Sequence, residues 1–348
     1  MKSLQKMLLP LKLLVLHQTL VAAPAGQVIW WGNDIADPTS SVLTGVVTNA
    51  GQAIDDAVAI AAGEGHALVL KSDGTVFGWG SNLAGQATGG EGTVSGWRPN
   101  TNGQGLHFES TYPTLGRGRV EIGGQVLSNV VAIAAGGNCS LALKSNGTVV
   151  AWGDAGSSNE MLVPEGLSNV VAIAAGSDHS LALKKDGTLV GWGSRKIPTG
   201  LSNIVAIATT GREFGNDLAL KRDGTVIELA RNNNGITAGI SAPLGASNVV
   251  AIATGRLQKI ALKNDGSVFV WGSGDSPPSR LSNVVAIAVQ ENSFALKNDG
   301  TAVSWGFSPY HRTDLPAGLS NLVAISAGPN FCLAITTNRA VAERFRQK

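Results

Sequence analysis

The chain has 348 residues, of which 43% are hydrophobic and only 14% are charged, and its formal net charge at pH 7 is +2. This composition supports a large hydrophobic core and excludes an intrinsically disordered chain. The small net charge argues against a nucleic-acid-binding protein, which would carry a basic stripe or patch.

The first 25 residues have the pattern of a secretory signal peptide. Two lysines precede a largely apolar stretch over residues 7–20, and the small residues Ala23 and Ala25 fit a cleavage site. We therefore predict a signal peptide at 1–25 and a secreted or periplasmic mature protein. A buried or frayed N-terminal helix is the alternative. No later segment is long and apolar enough to span a bilayer, so we expect no stable membrane insertion.

A short apolar phrase then recurs seven times. Its fullest form, LSNVVAIAAG, stands at 127–136 and again at 167–176. A run that is β-branched at alternate positions and too short for a helix predicts a strand. The other copies are DDAVAIAAG (55–63), LSNIVAIATTG (201–211), ASNVVAIATG (246–255), LSNVVAIAV (281–289) and LSNLVAISAG (319–328).

Each of the first six copies continues into two further predicted strands. LALK or a close variant comes first, and a TVxxWG segment follows in five of the six copies. Asp-Gly or Asn-Gly between them supplies the positive φ angles of a two-residue hairpin turn. In the fourth copy Leu229 and Ala230 replace Trp-Gly, and we expect the leucine to keep the apolar contact. The turns are Asp73-Gly74, Asn146-Gly147, Asp186-Gly187, Asp223-Gly224, Asp265-Gly266 and Asp299-Gly300.

The repeats predict an all-β fold, a seven-bladed β-propeller. A three-stranded unit of this kind cannot bury both faces alone, and seven copies packed radially solve the problem. The seventh copy lacks TVxxWG, and GQVIWWG at 26–32 supplies the missing strand. We therefore predict that the N-terminal strand closes the last blade, which removes an open sheet edge. The predicted propeller covers 26–340, and 341–348 is a C-terminal tail.

The strand order predicts where a binding site lies. Loops after Ala-Gly and after Trp-Gly share one face, here named the X face, and the short Asp-Gly turns lie on the opposite Y face. Function concentrates in variable loops on a rigid frame. The X-face loops that vary most are the inserted loop 81–126 and the loops 209–217 and 307–315. A self-packed surface loop is the alternative for 81–126.

These three loops contain the residue types that anchor protein interfaces, namely tryptophan, tyrosine and arginine with other aromatic residues. The predicted partner-binding residues are Trp97, Arg98, His107, Phe108, Tyr112, Arg117, Arg212, Phe214, Tyr310 and Arg312.

No catalytic site, cofactor site or metal site is predicted. Asp178-His179-Ser180 contains the letters of a catalytic triad, but neighbours on a strand point to opposite faces and cannot form a relay. The repeat position of His179 is occupied in other copies by His66, Cys139 and Phe331, which indicates a structural role. Glycine motifs for phosphates or dinucleotides do not occur.

The two cysteines, Cys139 and Cys332, lie in different repeats. Neither has a zinc-ligand spacing around it, and we interpret both as small buried apolar residues.

The segment WGSNLAGQ (79–86), after GHALVLKSDGTVFG, resembles the repeat of the regulator-of-chromosome-condensation family. The resemblance extends over nearly all of 26–340 and is closest in style to bacterial secreted members such as the β-lactamase inhibitor propeller. It implies a seven-bladed propeller and a binding function. Family inhibitors grip their enzyme with aromatic residues just after the Ala-Gly step. Here those loops hold one aromatic residue, Phe331, which departs from that pattern.

The sequence therefore predicts a secreted, monomeric, non-enzymatic propeller that binds a protein partner through its X face, without nucleic acid. Two alternatives stay open. The first is an enzyme with a site at the channel mouth, where the repeats place alanine, glycine and serine instead of acids and bases. The second is an intracellular guanine-nucleotide exchange or chromatin module, which export would exclude.

Overall fold

A computed structural model describes residues 24–32, 43–82, 85–89, 97–99, 106–108, 115–153, 162–194, 197–198, 200–210, 216–231, 237–241, 246–306 and 314–346. The first part contains β1 (Gln27–Gly32), β2 (Leu43–Val46), β3 (Thr48–Asn49), β4 (Gln52–Ala53), β5 (Ala57–Ala62), β6 (His66–Lys71), β7 (Val76–Ser81), β8 (Trp97–Pro99), β9 (Leu106–Phe108), β10 (Leu115–Arg119), β11 (Glu121–Ile122) and β12 (Gln125–Val126).

The regular repeats follow. They contain β13 (Val130–Ala135), β14 (Cys139–Lys144), β15 (Val149–Gly153), β16 (Val170–Ala175), β17 (His179–Lys184), β18 (Leu189–Gly193), β19 (Ile204–Ala208), β20 (Asp217–Lys221), β21 (Val226–Arg231), β22 (Thr237–Ser241), β23 (Val249–Thr254), β24 (Gln258–Lys263) and β25 (Val268–Gly272). The last part contains β26 (Val284–Val289), β27 (Ser293–Lys297), β28 (Ala302–Trp305), β29 (Leu322–Ala327), β30 (Phe331–Thr336) and the helix α1 (Arg339–Arg346).

Within the described residues these strands form seven antiparallel sheets of three or four strands and three small hairpins. Six sheets follow the chain: sheet one (β5, β6, β7, β10), sheet two (β13–β15), sheet three (β16–β18), sheet four (β19–β22), sheet five (β23–β25) and sheet six (β26–β28). The terminal sheet joins both ends of the chain in the order β2-β1-β30-β29. The predicted all-β class and the three-stranded repeat unit are confirmed.

The N-terminal strand lies beside the last repeat. β1 runs antiparallel to β30, with Trp31 opposite Cys332. The side chains of Val28, Ile29 and Trp31 are fully buried. Packing of β1 on the last repeat therefore stabilises the fold through apolar burial as well as through strand pairing.

The cores lie between neighbouring sheets. Sheet six packs on the terminal sheet, where Phe294 meets Trp31 edge to face at a centroid distance of 6.2 Å. The terminal sheet packs in turn on sheet one, where Phe331 and Phe77 share a buried cluster. Leu229, which replaces the usual tryptophan in sheet four, is fully buried between sheets three and four, as predicted.

Two segments that were predicted as a loop and as a tail contain regular secondary structure. Residues 115–119, inside the predicted loop 81–126, form the fourth strand of sheet one, with Arg117 opposite Trp79. Part of the predicted tail belongs to α1, whose Val341 and Phe345 pack with residues of β1 and β2. The predicted signal peptide lies outside the described residues except for positions 24 and 25.

Glycine at the end of the first strand allows neighbouring backbones to meet. A Cβ at Gly136 would lie 2.1 Å from the carbonyl oxygen of Gly176, and one at Gly63 would lie 2.6 Å from the carbonyl oxygen of Gly136. The close approach lets the N–H of Glu64 donate to the Gly136 carbonyl at 3.0 Å. The Ala-Gly step thus joins sheets around the X-face rim.

The Asp-Gly and Asn-Gly turns join the same sheets at the Y face. The N–H of Val130 donates to the carbonyl of Gly74 at 3.0 Å, and equivalent bonds recur in later repeats. At the chain ends the N–H of Ala57 donates to the carbonyl of Gly26 at 3.1 Å, so Gly26, which immediately precedes β1, takes the place of a turn glycine. The first residue of the turn also accepts a local hydrogen bond. At Asp299 the hydrogen bonds from Thr301 lower the pKa of the carboxyl group to about 2.

We expect Gly136→Ala to destabilise the protein by about 1–3 kcal/mol or more, because the added methyl group overlaps the Gly176 carbonyl oxygen. Urea unfolding monitored by tryptophan fluorescence measures this loss. Gly118→Ala is the matched control, because a Cβ there meets no atom within 4 Å, and its effect should stay within about 0.5 kcal/mol. Equal stability of the two variants would contradict the close backbone approach.

We expect Trp31→Ala to cost about 3–5 kcal/mol of unfolding free energy, because it leaves a cavity where β1 packs on sheet six. Leu257→Ala is the control, because the Leu257 side chain is 46% exposed, and it should cost clearly less. Thermal and urea unfolding of both variants test the pairing. Losses of similar size would show that β1 is not a core strand.

Candidate binding face

The structure brings four of the predicted partner-binding residues together. β8 and β9 form a two-stranded hairpin in which Trp97 faces Phe108 and Arg98 faces His107 along the backbone ladder. This hairpin belongs to the longest X-face insertion, so two aromatic residues and two basic or titratable residues share one short element.

Of the remaining predicted residues, the structure describes Arg117. Arg117 is exposed, but it lies on the fourth strand of sheet one and not in an X-face loop, which corrects its predicted position. The reason is that the insertion returns to the sheet and pairs with β7 before the next repeat begins. Tyr112, Arg212, Phe214, Tyr310 and Arg312 lie outside the described residues, and their role stays a prediction.

His66 bridges sheets one and two. Its Nε2 lies 2.8 Å from Ser140 Oγ, and the Ser140 hydroxyl donates to the carbonyl of Gln86 at 2.8 Å. Because that hydroxyl proton is already used, Nε2–H of His66 is the donor to Ser140. Burial lowers the pKa of His66 to about 4, so the ring is neutral at pH 7. The histidine fills a structural position, as its repeat pattern indicated.

His179 occupies the equivalent position in sheet three and has charged partners. Its Nδ1 lies 2.9 Å from Asp178 Oδ1, and its Nε2 lies 2.9 Å from Asp217 Oδ2 in sheet four. Asp178 also accepts a hydrogen bond from Ser194. Carboxylate oxygens accept hydrogen bonds, so a ring nitrogen of His179 that carries a proton donates to the aspartate beside it. Like His66, the residue joins neighbouring sheets.

The premise that neighbouring residues in Asp178-His179-Ser180 point to opposite faces is wrong for the first pair, because Asp178 contacts His179. Asp178 precedes β17, so the alternation of side chains along a strand does not apply to it. Ser180 lies within the strand and is fully buried, and no hydrogen-bond partner for its Oγ is found among the described residues.

A second charged cluster lies between sheets four and five. Glu228 accepts from Trp271 Nε1 at 2.6 Å and from Asn216 Nδ2 at 3.0 Å, and Lys259 Nζ lies 3.5 Å from its Oε2. Burial raises the pKa of Glu228, but these hydrogen bonds outweigh it and leave the pKa below its usual value. Lys259 and Asp217 stand where other repeats have serine, and that departure is the sequence signal that could have revealed both clusters.

The cysteines take no part in these clusters. Cys139 and Cys332 are both buried, and no disulfide joins them. Burial raises the pKa of the Cys332 thiol well above its usual range, so it stays protonated. Across the described residues no group of three or more histidine, cysteine, aspartate and glutamate side chains suits a metal ion. No helix among those residues has the length and apolarity to cross a membrane.

Comparison with known proteins identifies the repeat. The family described as "Regulator of chromosome condensation (RCC1) repeat" matches residues 57–86, 130–159 and 170–194. No curated protein sequence matches the chain.

Solved structures resemble the whole chain at low sequence identity. Human WBSCR16 is 16% identical, with a TM-score of 0.63 over 91% of this chain and 100% of that one. Yeast RCC1 (Prp20), crystallised with Kap60 bound, is 18% identical, with a TM-score of 0.63 over 99% of this chain and 98% of that one. The ectodomain of the Arabidopsis thaliana receptor kinase ACR4 is 19% identical, with a TM-score of 0.56 over 80% and 91%. These likenesses show the fold, a β-propeller.

We expect the neutral, buried His66 to make stability depend on pH. Its pKa is about 4 in the folded protein and about 6.5 when unfolded, so the unfolded chain binds more protons between these values. Stability should therefore rise with pH from 4 to 6.5, by up to about 3 kcal/mol from this group, and be fully present above pH 7.

Urea unfolding of wild type and His66→Gln from pH 4 to 8 measures this contribution. The difference in unfolding free energy between the two proteins should change across pH 4 to 6.5 and stay constant above pH 7. A constant difference over the whole range would contradict a neutral His66. His179 is present in both proteins, so its contribution to the pH dependence cancels in the difference between their unfolding free energies.

Proposed function

We propose that this chain, in which three stretches match the RCC1 repeat, is a secreted, monomeric, closed seven-bladed β-propeller that binds a protein partner through its X face. The module has no enzymatic role of its own. Its seven blades are the six numbered sheets and the terminal sheet.

Contacts at the chain ends support closure. The terminal sheet packs against sheet six on one side and sheet one on the other. Gly26 and Ala57 exchange two backbone hydrogen bonds of 3.0 and 3.1 Å, which link the N-terminal strand to sheet one. The bond from Ala57 N–H to the Gly26 carbonyl corresponds to the bonds that turn glycine carbonyls accept between other sheets, which supports one complete blade built from the two chain ends.

The contrast between the two faces carries the proposal. Y-face turns repeat one geometry, in which an aspartate or asparagine carboxyl or amide oxygen accepts from the N–H two residues later. X-face loops differ in length and composition and include the β8–β9 hairpin with Trp97 and Phe108. A constant frame with variable loops on one side is the architecture of a recognition surface.

A structural neighbour supports the protein partner, and the position of the first paired residue supports export. Yeast RCC1 has this fold and was crystallised with a protein partner, Kap60. Export is supported by the match between the predicted cleavage after Ala25 and the start of pairing at Gly26. An oxidising compartment would also leave Cys139 and Cys332 unreacted, because both are buried.

Affinity capture from the host's secreted fraction tests the proposal, with purified 26–348 as bait. The X-face variant replaces Trp97, Arg98, His107 and Phe108 by serine and keeps the loop length, so that β10 stays in sheet one. The matched Y-face variant replaces the exposed Lys185, Arg222, Asn264 and Asn298 by serine.

We expect a partner that wild type and the Y-face variant retain and the X-face variant loses by at least tenfold, because aromatic and arginine anchors dominate protein interfaces. Loss with the Y-face variant alone would contradict the assignment of the face. N-terminal sequencing of the secreted protein tests export, and a mature chain beginning at Met1 would contradict it.

A further inference from the structure

A small polar cavity lies where the first strands of six sheets end. Its walls are mostly alanine and glycine, and the alanines Ala62, Ala135, Ala175 and Ala327 occupy one repeat position in four different sheets. Equivalent positions in different repeats lie around a common axis, so the cavity is the X-face mouth of the axial channel. We name it the axial mouth.

Two of the residues that line this mouth depart from the alanine and glycine pattern. Thr209 stands at the alanine position in sheet four, and Gln290 stands at the following glycine position in sheet six. Thr209 is 1% exposed. Among the described residues neither Thr209 Oγ1 nor Gln290 Oε1 has a hydrogen-bond partner. Buried oxygen atoms of this kind are usually paired with a hydrogen-bond donor, which here is either a water molecule or a donor group of a ligand.

Glu64 supplies a negative charge at the same mouth. It also lines the cavity, and its Oε1 accepts from Ser177 Oγ of sheet three at 3.1 Å. Its backbone N–H donates to Gly136, which fixes the start of the side chain. The residues that line the axial mouth therefore include a glutamate, a glutamine and a threonine among small residues.

This set of groups selects one ligand chemistry. A single carboxylate with neutral oxygens suits a monovalent cation that donates hydrogen bonds, and a primary ammonium has three such donors. A quaternary ammonium has no N–H, and none of the described residues that line the cavity is an aromatic residue that could bind it through a ring face. A guanidinium is planar and wider, and it pairs best with two parallel acceptors.

We propose that the axial mouth binds the primary ammonium group of a lysine side chain presented by the protein partner. This inference rests on the proposed X-face function and names the chemistry by which the centre of that face recognises its partner. Glu64 provides the charge, and Thr209 and Gln290 provide the remaining acceptors.

Small cations test the site without any partner. Purified 26–348 is titrated with n-butylammonium, which reproduces the end of a lysine side chain, and with tetramethylammonium and n-propylguanidinium at equal ionic strength. Backbone amide shifts of Glu64 and Gly136 report binding. We expect saturable, millimolar binding of n-butylammonium that is at least fivefold tighter than that of the other two cations.

Isosteric variants locate the binding. Glu64→Gln and Thr209→Val should each weaken n-butylammonium binding at least fivefold, and thermal unfolding of each variant checks the fold. Glu291→Gln is the matched control, because Glu291 pairs with Arg256 at 3.8 Å and does not line the cavity. Its binding should equal that of wild type. If Thr209→Val does not fold, Glu64→Gln and the three-cation comparison still decide.

The inference is overturned if tetramethylammonium or n-propylguanidinium shifts the same amides with equal affinity, or if Glu64→Gln binds n-butylammonium as wild type does. Failure here with an intact X-face capture result leaves the proposed function in place. Ammonium binding without any captured partner would overturn the protein-partner part and leave the site chemistry.

Discussion

Backbone hydrogen bonds between neighbouring sheets are the constraint on which this molecule depends. At the X-face rim the Ala-Gly step allows a carbonyl of one sheet to meet the backbone of the next, as in the bond from Glu64 to Gly136. At the Y face the turn glycine carbonyl accepts from the next first strand. Each bond contributes only about 1 kcal/mol, but both ends of a sheet are held, so sheets cannot slide along each other.

This constraint explains the uneven use of the two faces. The Y-face turns combine hairpin formation with contact to the next sheet, so their residues cannot vary without losing both. On the X face only the glycine of the Ala-Gly step is held so closely, and the residues beyond it can change. The proposed recognition of a partner at that face needs no change in the frame, because the β8–β9 hairpin is an addition to the frame and the axial mouth differs from the repeat pattern only through side chains such as Thr209 and Gln290.

Pairs of buried polar groups between sheets follow the same logic. His66 meets Ser140, His179 meets Asp217, and the Gln258 amide oxygen accepts from Ser293 at 2.6 Å. A buried polar group is tolerated when its partner is supplied by the neighbouring sheet. The repeat position of His66, His179 and Gln258 can therefore hold different residues, provided that the residue facing it in the next sheet changes as well.

The amino-acid sequence by itself determined the all-β class, the repeat unit, the buried role of Leu229 and the partnership of 26–32 with the last repeat, because these follow from local periodicity, turn residues and a missing segment. Only the tertiary structure decided that residues 115–119 complete sheet one, that Asp178 reaches His179, and that Glu64, Thr209 and Gln290 line one cavity. Those contacts join residues far apart in the chain or just outside a strand, where side-chain alternation no longer predicts direction. They arise from the packing of sheets around a common axis, which brings equivalent repeat positions together without any sequence signal between them.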